Sequence, residues 1–178
     1  MHLTMGAYLS RVKTQRAAVL PYTILEENGI PYIYFLVAVD SRTGDITDLG
    51  GGVKKYECSL IAALREFKEE TNEIFGGVYD DVNDSSTYIA AVHNKMSVLF
   101  IPMNREWFKE ASILFNKQKT GKKVCREVSK VLWLRQDDFE ELFGGNKMWS
   151  RLRSFYKTIY SKKLLELLSF RYELFIYK

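Results

Sequence analysis

Apolar and polar positions follow two rhythms along this chain, and the change of rhythm divides it into elements. Residues 17–24 (AAVLPYTI) and 30–39 (IPYIYFLVAV) are short apolar runs rich in β-branched and aromatic side chains. They predict two strands joined by the turn residues EENG. A second turn signal, SRTGD, occupies 41–45 and precedes Gly50-Gly51-Gly52. From about Ser59 to Thr71 the spacing becomes helical, with Leu60, Leu64 and Phe67 on one arc and Ile61 beside them, a core-facing stripe. Strand-like runs return at 87–93 and 96–103 around a His93-Asn94-Lys95 turn. Residues 105–123 predict a short helix (REWFKEASILF) and a lysine-rich loop. Another strand is expected near 128–134, QDDFEELF begins a helix, and the last thirty residues predict one long amphipathic helix. Strands, helix, strands, helices is the order of an α+β domain with a mixed sheet. The expected organisation is a domain over 1–145 with a basic C-terminal helix, 146–178, packed on it.

Composition narrows the class. At 178 residues, 47% hydrophobic and 27% charged, the chain suits one domain with a sizeable core, and disorder is excluded. No apolar run approaches the ~20 residues that cross a bilayer, so no membrane partner is expected. The start, MHLTMGAYLSRVKTQR, lacks the order of a secretory signal. Cys58 and Cys125 are the only cysteines, too few for a disulfide framework or a zinc site, and a cytoplasmic location is expected. The net charge of +4 hides an asymmetry. Residues 146–178 carry eight Lys/Arg against two Glu, a net of +6, which leaves −2 for the remainder. A basic tail of this kind has two readings, a polyanionic partner or a solvated helix face.

The chemistry lies in Gly51 to Asn72, GGVKKYECSLIAALREFKEETN. At about 100° per residue, Glu66, Glu69, Glu70 and Glu73 share the arc opposite the apolar stripe. Such neighbours repel, by a few tenths of a kcal/mol per pair. The repulsion has a use if a hard divalent cation sits there, because Mg²⁺ takes oxygen ligands and shares its shell with substrate phosphates. A solvated acidic face is the competing reading for the glutamates alone, and the flanking residues decide against it. Gly51, Glu57, Arg65-Glu66, Phe67 and Glu69-Glu70 fall at fixed spacings that resemble the Nudix box. Asn72 stands where that pattern has glycine and Glu73 where it has an apolar residue. Asn is the next most tolerant residue for a left-handed helix cap, and Ile74 can fill the apolar slot after a small shift.

The resemblance implies an α/β/α sandwich around a mixed sheet, with an added C-terminal helix. It implies a pyrophosphohydrolase in which Glu66, Glu69 and Glu70 bind Mg²⁺ or Mn²⁺, joined by a backbone carbonyl at Gly50 or Gly51. One of these carboxylates, or Glu127, six residues before Trp133, would deprotonate the attacking water. Arg65 would orient the carboxylates, and Glu57 would hold the loop to the helix. Lys117, Lys119, Lys122, Lys123 and Arg126 precede Glu127 and are candidates for binding substrate phosphates. The substrate class is a nucleoside diphosphate linked to a second group. The basic tail and lysine cluster favour capped RNA, and a small nucleotide is the alternative. A non-catalytic module that binds RNA or a nucleotide is the rival from another class.

Other features weigh less. The Asp80–Ser85 loop lacks the glycine and terminal glutamate of a calcium loop. His2 and His93 are too separated for a metal site or a nucleophile triad. Trp107, Trp133 and Trp149 are expected in the core or anchoring helices. Tyr22, Tyr32 and Tyr34 favour burial over contact with a nucleobase.

Overall fold

In the computed structural model, which describes residues 2–81, 88–118 and 126–177, the strands form one mixed sheet. The strands are β1 (His2–Met5), β2 (Arg16–Glu27), β3 (Ile30–Asp40), β4 (Ile46–Thr47), β5 (Leu49–Gly52), β6 (Ile89–His93), β7 (Met96–Pro102) and β8 (Val128–Arg135). The helices are α1 (Ser59–Glu70), α2 (Gly76–Asp81), α3 (Glu106–Gln118), α4 (Gln136–Glu141), α5 (Ser150–Ile159) and α6 (Lys162–Ile176), and a 3₁₀ turn spans Gly6–Arg11. The sheet order is β1-β6-β7-β2-β3-β4, with β5 beside β2 and β8 beside β3. β2 and β7 run parallel, Arg16 opposite Met96 through Tyr22 opposite Pro102, and the other pairs are antiparallel. The EENG turn closes β2 onto β3 with Asn28 and Gly29 both at positive φ, as a two-residue hairpin turn demands.

Strand alternation sends side chains to two separate cores. Ala18, Leu20, Tyr22, Phe35 and Val37 pack with Phe139, Leu152, Phe155, Tyr156 and Leu168, so α4, α5 and α6 cover one face. Ala17, Val19, Leu36, Ala38 and Leu99 pack with Ala62, Ala63, Phe67 and Phe115, so α1 and α3 cover the other. The expected α/β/α sandwich is therefore the observed architecture.

Three expectations change. The C-terminal segment is two helices, broken at Tyr160-Ser161, where the Ser161 hydroxyl accepts from the Leu164 amide and caps α6. The buried stripe of α1 runs through Ser59, Ala62, Ala63, Phe67 and Glu70, while Ile61 is 56% exposed. The stripe follows the small residues because α1 packs close to β2 and β5. Trp149 is 45% exposed at the start of α5 and is not a core residue. Tyr22 is buried as expected, and Tyr34 is half-buried with its ring edge-on to Phe108. The Asp80–Ser85 loop lies largely outside the described residues.

Candidate active site

Helix α1 is pinned at both ends. At its start Ser59 is fully buried, its hydroxyl accepting from the Thr14 amide at 2.8 Å and lying 2.9 Å from the Thr14 hydroxyl. Thr14 in turn lies 3.0 Å from the Ser97 hydroxyl, so α1, β7 and the segment leading into β2 are joined at one buried point. At its end Asn72 and Glu73 are both left-handed, with φ of 53° and 61°. The Glu73 amide donates to the Lys68 carbonyl and the Asn72 amide to the Glu69 carbonyl, the paired bonds of a Schellman cap. Ile74 and Phe75 then turn into the core, Phe75 stacking on Phe67 at 5.5 Å.

Arg65 is the hub of the acidic face. Its Nε and Nη2 donate to the two oxygens of Glu57 at 2.7 and 3.0 Å, a bidentate pair. Its Nη1 donates to Glu66 at 2.6 Å and Glu69 at 3.2 Å, and Nη2 also reaches the Gly52 carbonyl at 3.1 Å. All five N–H donors of the guanidinium are thereby engaged. Arg65 thus lies among the carboxylates. These bonds hold the Glu57 carboxyl down at about 2, helped by the Lys54 amide, and raise the Arg65 guanidinium.

The glutamates differ in environment. Glu69 is 55% exposed. Glu66 is largely covered, and its carboxylate presses on Gly51: a β-carbon there would stand 2.5 Å from the carboxyl carbon. Only glycine permits that approach. Glu70 is not on the open face. It is buried at 7% exposure, and its Oε2 has no hydrogen-bond partner. Burial pushes its carboxyl well above the usual range; Asp48 and Glu66 add to the rise, against the opposing charge of Arg16 and the Gly50 amide.

Beneath Glu70 lies a buried network. Arg16 Nη2 stands 2.6 Å from Asp48 and donates to the Gly50 carbonyl at 2.7 Å. Tyr156, from α5 on the opposite face, donates to Asp48 at 2.6 Å. Burial and the Asp48 charge raise the Tyr156 hydroxyl well above its ordinary value, so it stays protonated as a donor. Nothing in the sequence points to this trio, whose partners are 32 and 108 residues apart.

An open cleft of about 1100 Å³ brings together Arg65, Glu66, Glu69, Glu70, Arg126 and Glu127, with Arg42, Lys54 and Lys68 adding positive charge at its edge. Arg42 and Lys54 were not expected there. Lys117 is exposed at the end of α3 and does not line the cleft, and Lys119, Lys122 and Lys123 lie outside the described residues. No three acidic or histidine side chains among the described residues form a ready-made metal cage. The donors nonetheless fit Mg²⁺ or Mn²⁺: they are hard oxygens, one is a buried orphan, and Mg²⁺ is commonly held by one or two carboxylates plus substrate phosphates. The Gly50 carbonyl is engaged by Arg16, which leaves Gly51 as the backbone candidate. No helix among the described residues is long and apolar enough to cross a membrane.

No protein-family model and no curated protein matches the chain by sequence. Among solved structures it is similar to a mutT/nudix family protein from Listeria innocua, with a TM-score of 0.53 at 17% identity over 88% of this chain and 98% of the other. A C. elegans Ap4A hydrolase also matches, as a binary complex (TM-score 0.44, 20% identity, 82% of this chain and 97% of the other) and in a second structure (0.43, 18%, 84% and 100%). The Listeria likeness identifies the architecture as the Nudix fold.

Proposed function

We propose that the chain is a divalent-metal-dependent pyrophosphohydrolase that cleaves a diphosphate linkage in a small nucleotide. The observation that carries this reading is the set of Glu66, Glu69 and Glu70 around Arg65 and Gly51 in a basic-edged cleft, with the Glu70 Oε2 buried and unpartnered. A buried orphan carboxylate is costly and is retained where a cation completes it.

Glu66, Glu69 and Glu70 would hold the cation, with the Gly51 carbonyl beside them. When bound, the ion neutralises charge on the phosphate oxygens and makes water easier to deprotonate. The chain's own residues do the rest. Arg65 fixes the rotamers of Glu66 and Glu69, and Glu57 fixes Arg65. Arg42, Lys54 and Arg126 offer charge to the phosphates at the cleft edge. Glu69, Glu73 and Glu127 are the exposed carboxylates of the cleft; Glu73 belongs to the helix cap and faces Lys68 at 3.7 Å, so the proton passes to Glu69 or Glu127.

Capped RNA gives way to the small nucleotide as the leading substrate because of where the basic tail lies. Helices α5 and α6 cover the sheet face opposite α1, so Arg153, Lys157 and Lys162 do not continue the cleft. Within the tail, Lys162 faces Glu166 at 3.8 Å and Arg153 donates to the Gly145 carbonyl. The deciding experiment is a Mg²⁺ panel of nucleoside triphosphates, dinucleoside polyphosphates, diphosphoinositol phosphates and cap-labelled RNA, each with wild type and Glu69→Gln. Hydrolysis of a small nucleotide that Glu69→Gln lowers by orders of magnitude is expected. Faster release from capped RNA would restore that substrate to first place. Binding without turnover on any member would leave a non-catalytic module.

A further inference from the structure

On the other side of the Gly50–Gly52 strand lies a second pocket of about 510 Å³, within the range of small-molecule sites. It sits between the β6–β7 turn and the start of α5. The strand separates it from the glutamates. A β-carbon at Gly51 would meet Glu66, whereas one at Gly50 would meet Ala18 on the opposite face. By alternation Gly52 faces that same opposite side, where nothing lies within 4 Å of its would-be β-carbon.

The lining has a consistent chemistry. Trp149 is 45% exposed and carries the Arg151 guanidinium over its ring at 5.5 Å, and Phe155 is the second aromatic residue. Lys95 and Arg151 supply the positive charge, His93 adds an imidazole, Arg16 reaches the lining while its guanidinium pairs with Asp48, and among the described residues no carboxylate lines the pocket. Lys95 is also held at a cost. It has φ of 62° at the second central position of a tight hairpin, where glycine fits without strain. An exposed tryptophan platform beside two cations, Lys95 and Arg151, suits a planar aromatic group bearing negative charge.

We infer that this pocket is a second ligand site, which takes the base and adjoining phosphate of a nucleotide, the ring on Trp149 and the phosphate towards Lys95 and Arg151. The nucleotide comes either from the far end of the hydrolysed substrate, passing the bare Gly52, or from a separate molecule.

Binding of adenosine 5′-monophosphate to the full chain in EDTA, by calorimetry or equilibrium dialysis, tests the site without any turnover. Saturable binding is expected, weakened about tenfold or more by Trp149→Ala, the range of one lost base–aromatic stack. Trp149→Phe should restore it, and the Lys95→Ala/Arg151→Ala pair should weaken it and flatten its salt dependence. Glu70→Gln, which alters the glutamate site, should bind as wild type does. The KM of a dinucleoside polyphosphate separates the sources. A rise in Trp149→Ala assigns the pocket to the substrate's far end, and an unchanged KM assigns it to a separate nucleotide. Absence of saturable binding by wild type would overturn the proposal, as would Trp149→Ala and the double variant both binding normally. Either result leaves the hydrolysis reading intact, because that reading rests on the opposite face.

Discussion

Glu70→Gln separates stability from activity at one atom. The Glu70 carboxyl is 7% exposed, with Oε2 unpartnered, Asp48 and Glu66 adding negative charge and Arg16 offsetting part of it. A buried acceptor left unmade costs about 1–3 kcal/mol, more when charged. Glutamine keeps the shape, removes the charge and places an N–H donor where the orphan oxygen lies, close to Glu66. The metal-free variant should therefore be more stable than the parent by about 1–3 kcal/mol at pH 7.5. In a domain of this size that is about 2–4 °C in Tm for each kcal/mol. The pH dependence follows from the direction of the shift. With the folded-state pKa above the unfolded one, the native state holds the extra proton between the two values. The parent thus loses stability as pH rises from the ordinary carboxylate range through the raised value. The variant does not, so the two melting curves meet near pH 4 and separate above it. Mg²⁺ should stabilise the parent by mass action and the variant little, and hydrolysis by the variant should fall by orders of magnitude. Thermal melts in EDTA across pH 4–8, repeated with Mg²⁺, read all of this. A variant no more stable than the parent at pH 7.5, or a gap independent of pH, would refute the reasoning.

Other outcomes follow from the same geometry. Arg65→Lys replaces a five-donor hub by a point charge, and turnover should drop about 10–100-fold with circular dichroism unchanged. Equal rates would remove Arg65 from the positioning role. Tyr156→Phe deletes the hydroxyl that serves buried Asp48, and a urea midpoint lowered by the equivalent of about 1–3 kcal/mol is expected. An unshifted midpoint would deny the link between α5 and the site. Asn72→Gly should be neutral or mildly stabilising, and Asn72→Val should cost roughly 1 kcal/mol or more, because φ is 53° there. A thermal melt with Val above Gly would contradict the cap. Glu57, held down at about 2, contributes stability that is complete above the ordinary carboxylate range and lost as pH falls through about 2. The deficit of Glu57→Gln should accordingly shrink on acidification, which acid titration of both proteins would show.

What could be read along the chain was local, and what could not was relational. The strands of β2 and β3, the hairpin at Asn28-Gly29 and the helix carrying the glutamates each follow from a period or a turn residue within a few positions. Ser161 is itself a legible cap, yet the apolar stripe on both sides of it outweighed the signal and made two helices look like one. The 3₁₀ turn and α2 are too short to show a period, and β5 is masked by its three glycines. Angle places the glutamates along one side of α1 but does not report depth. Glu70 sits one position past Glu69 and rotates under the Gly50 strand, while Glu69 stays in water.

That difference in depth explains why the site needs Arg16, Asp48 and Tyr156. Burial beside a second acid pushes the Glu70 carboxyl up, and the Arg16 guanidinium offsets part of that rise. A guanidinium buried there needs its own counter-charge, which Asp48 supplies, and Asp48 needs the Tyr156 hydroxyl for its second oxygen. Each member is the polar partner of the next, so the chain of partners runs from the glutamate face through the sheet to α5. Placing α5 correctly is thus a condition for holding Glu70 at its depth, which couples the C-terminal helix to the glutamate site without its touching the cleft.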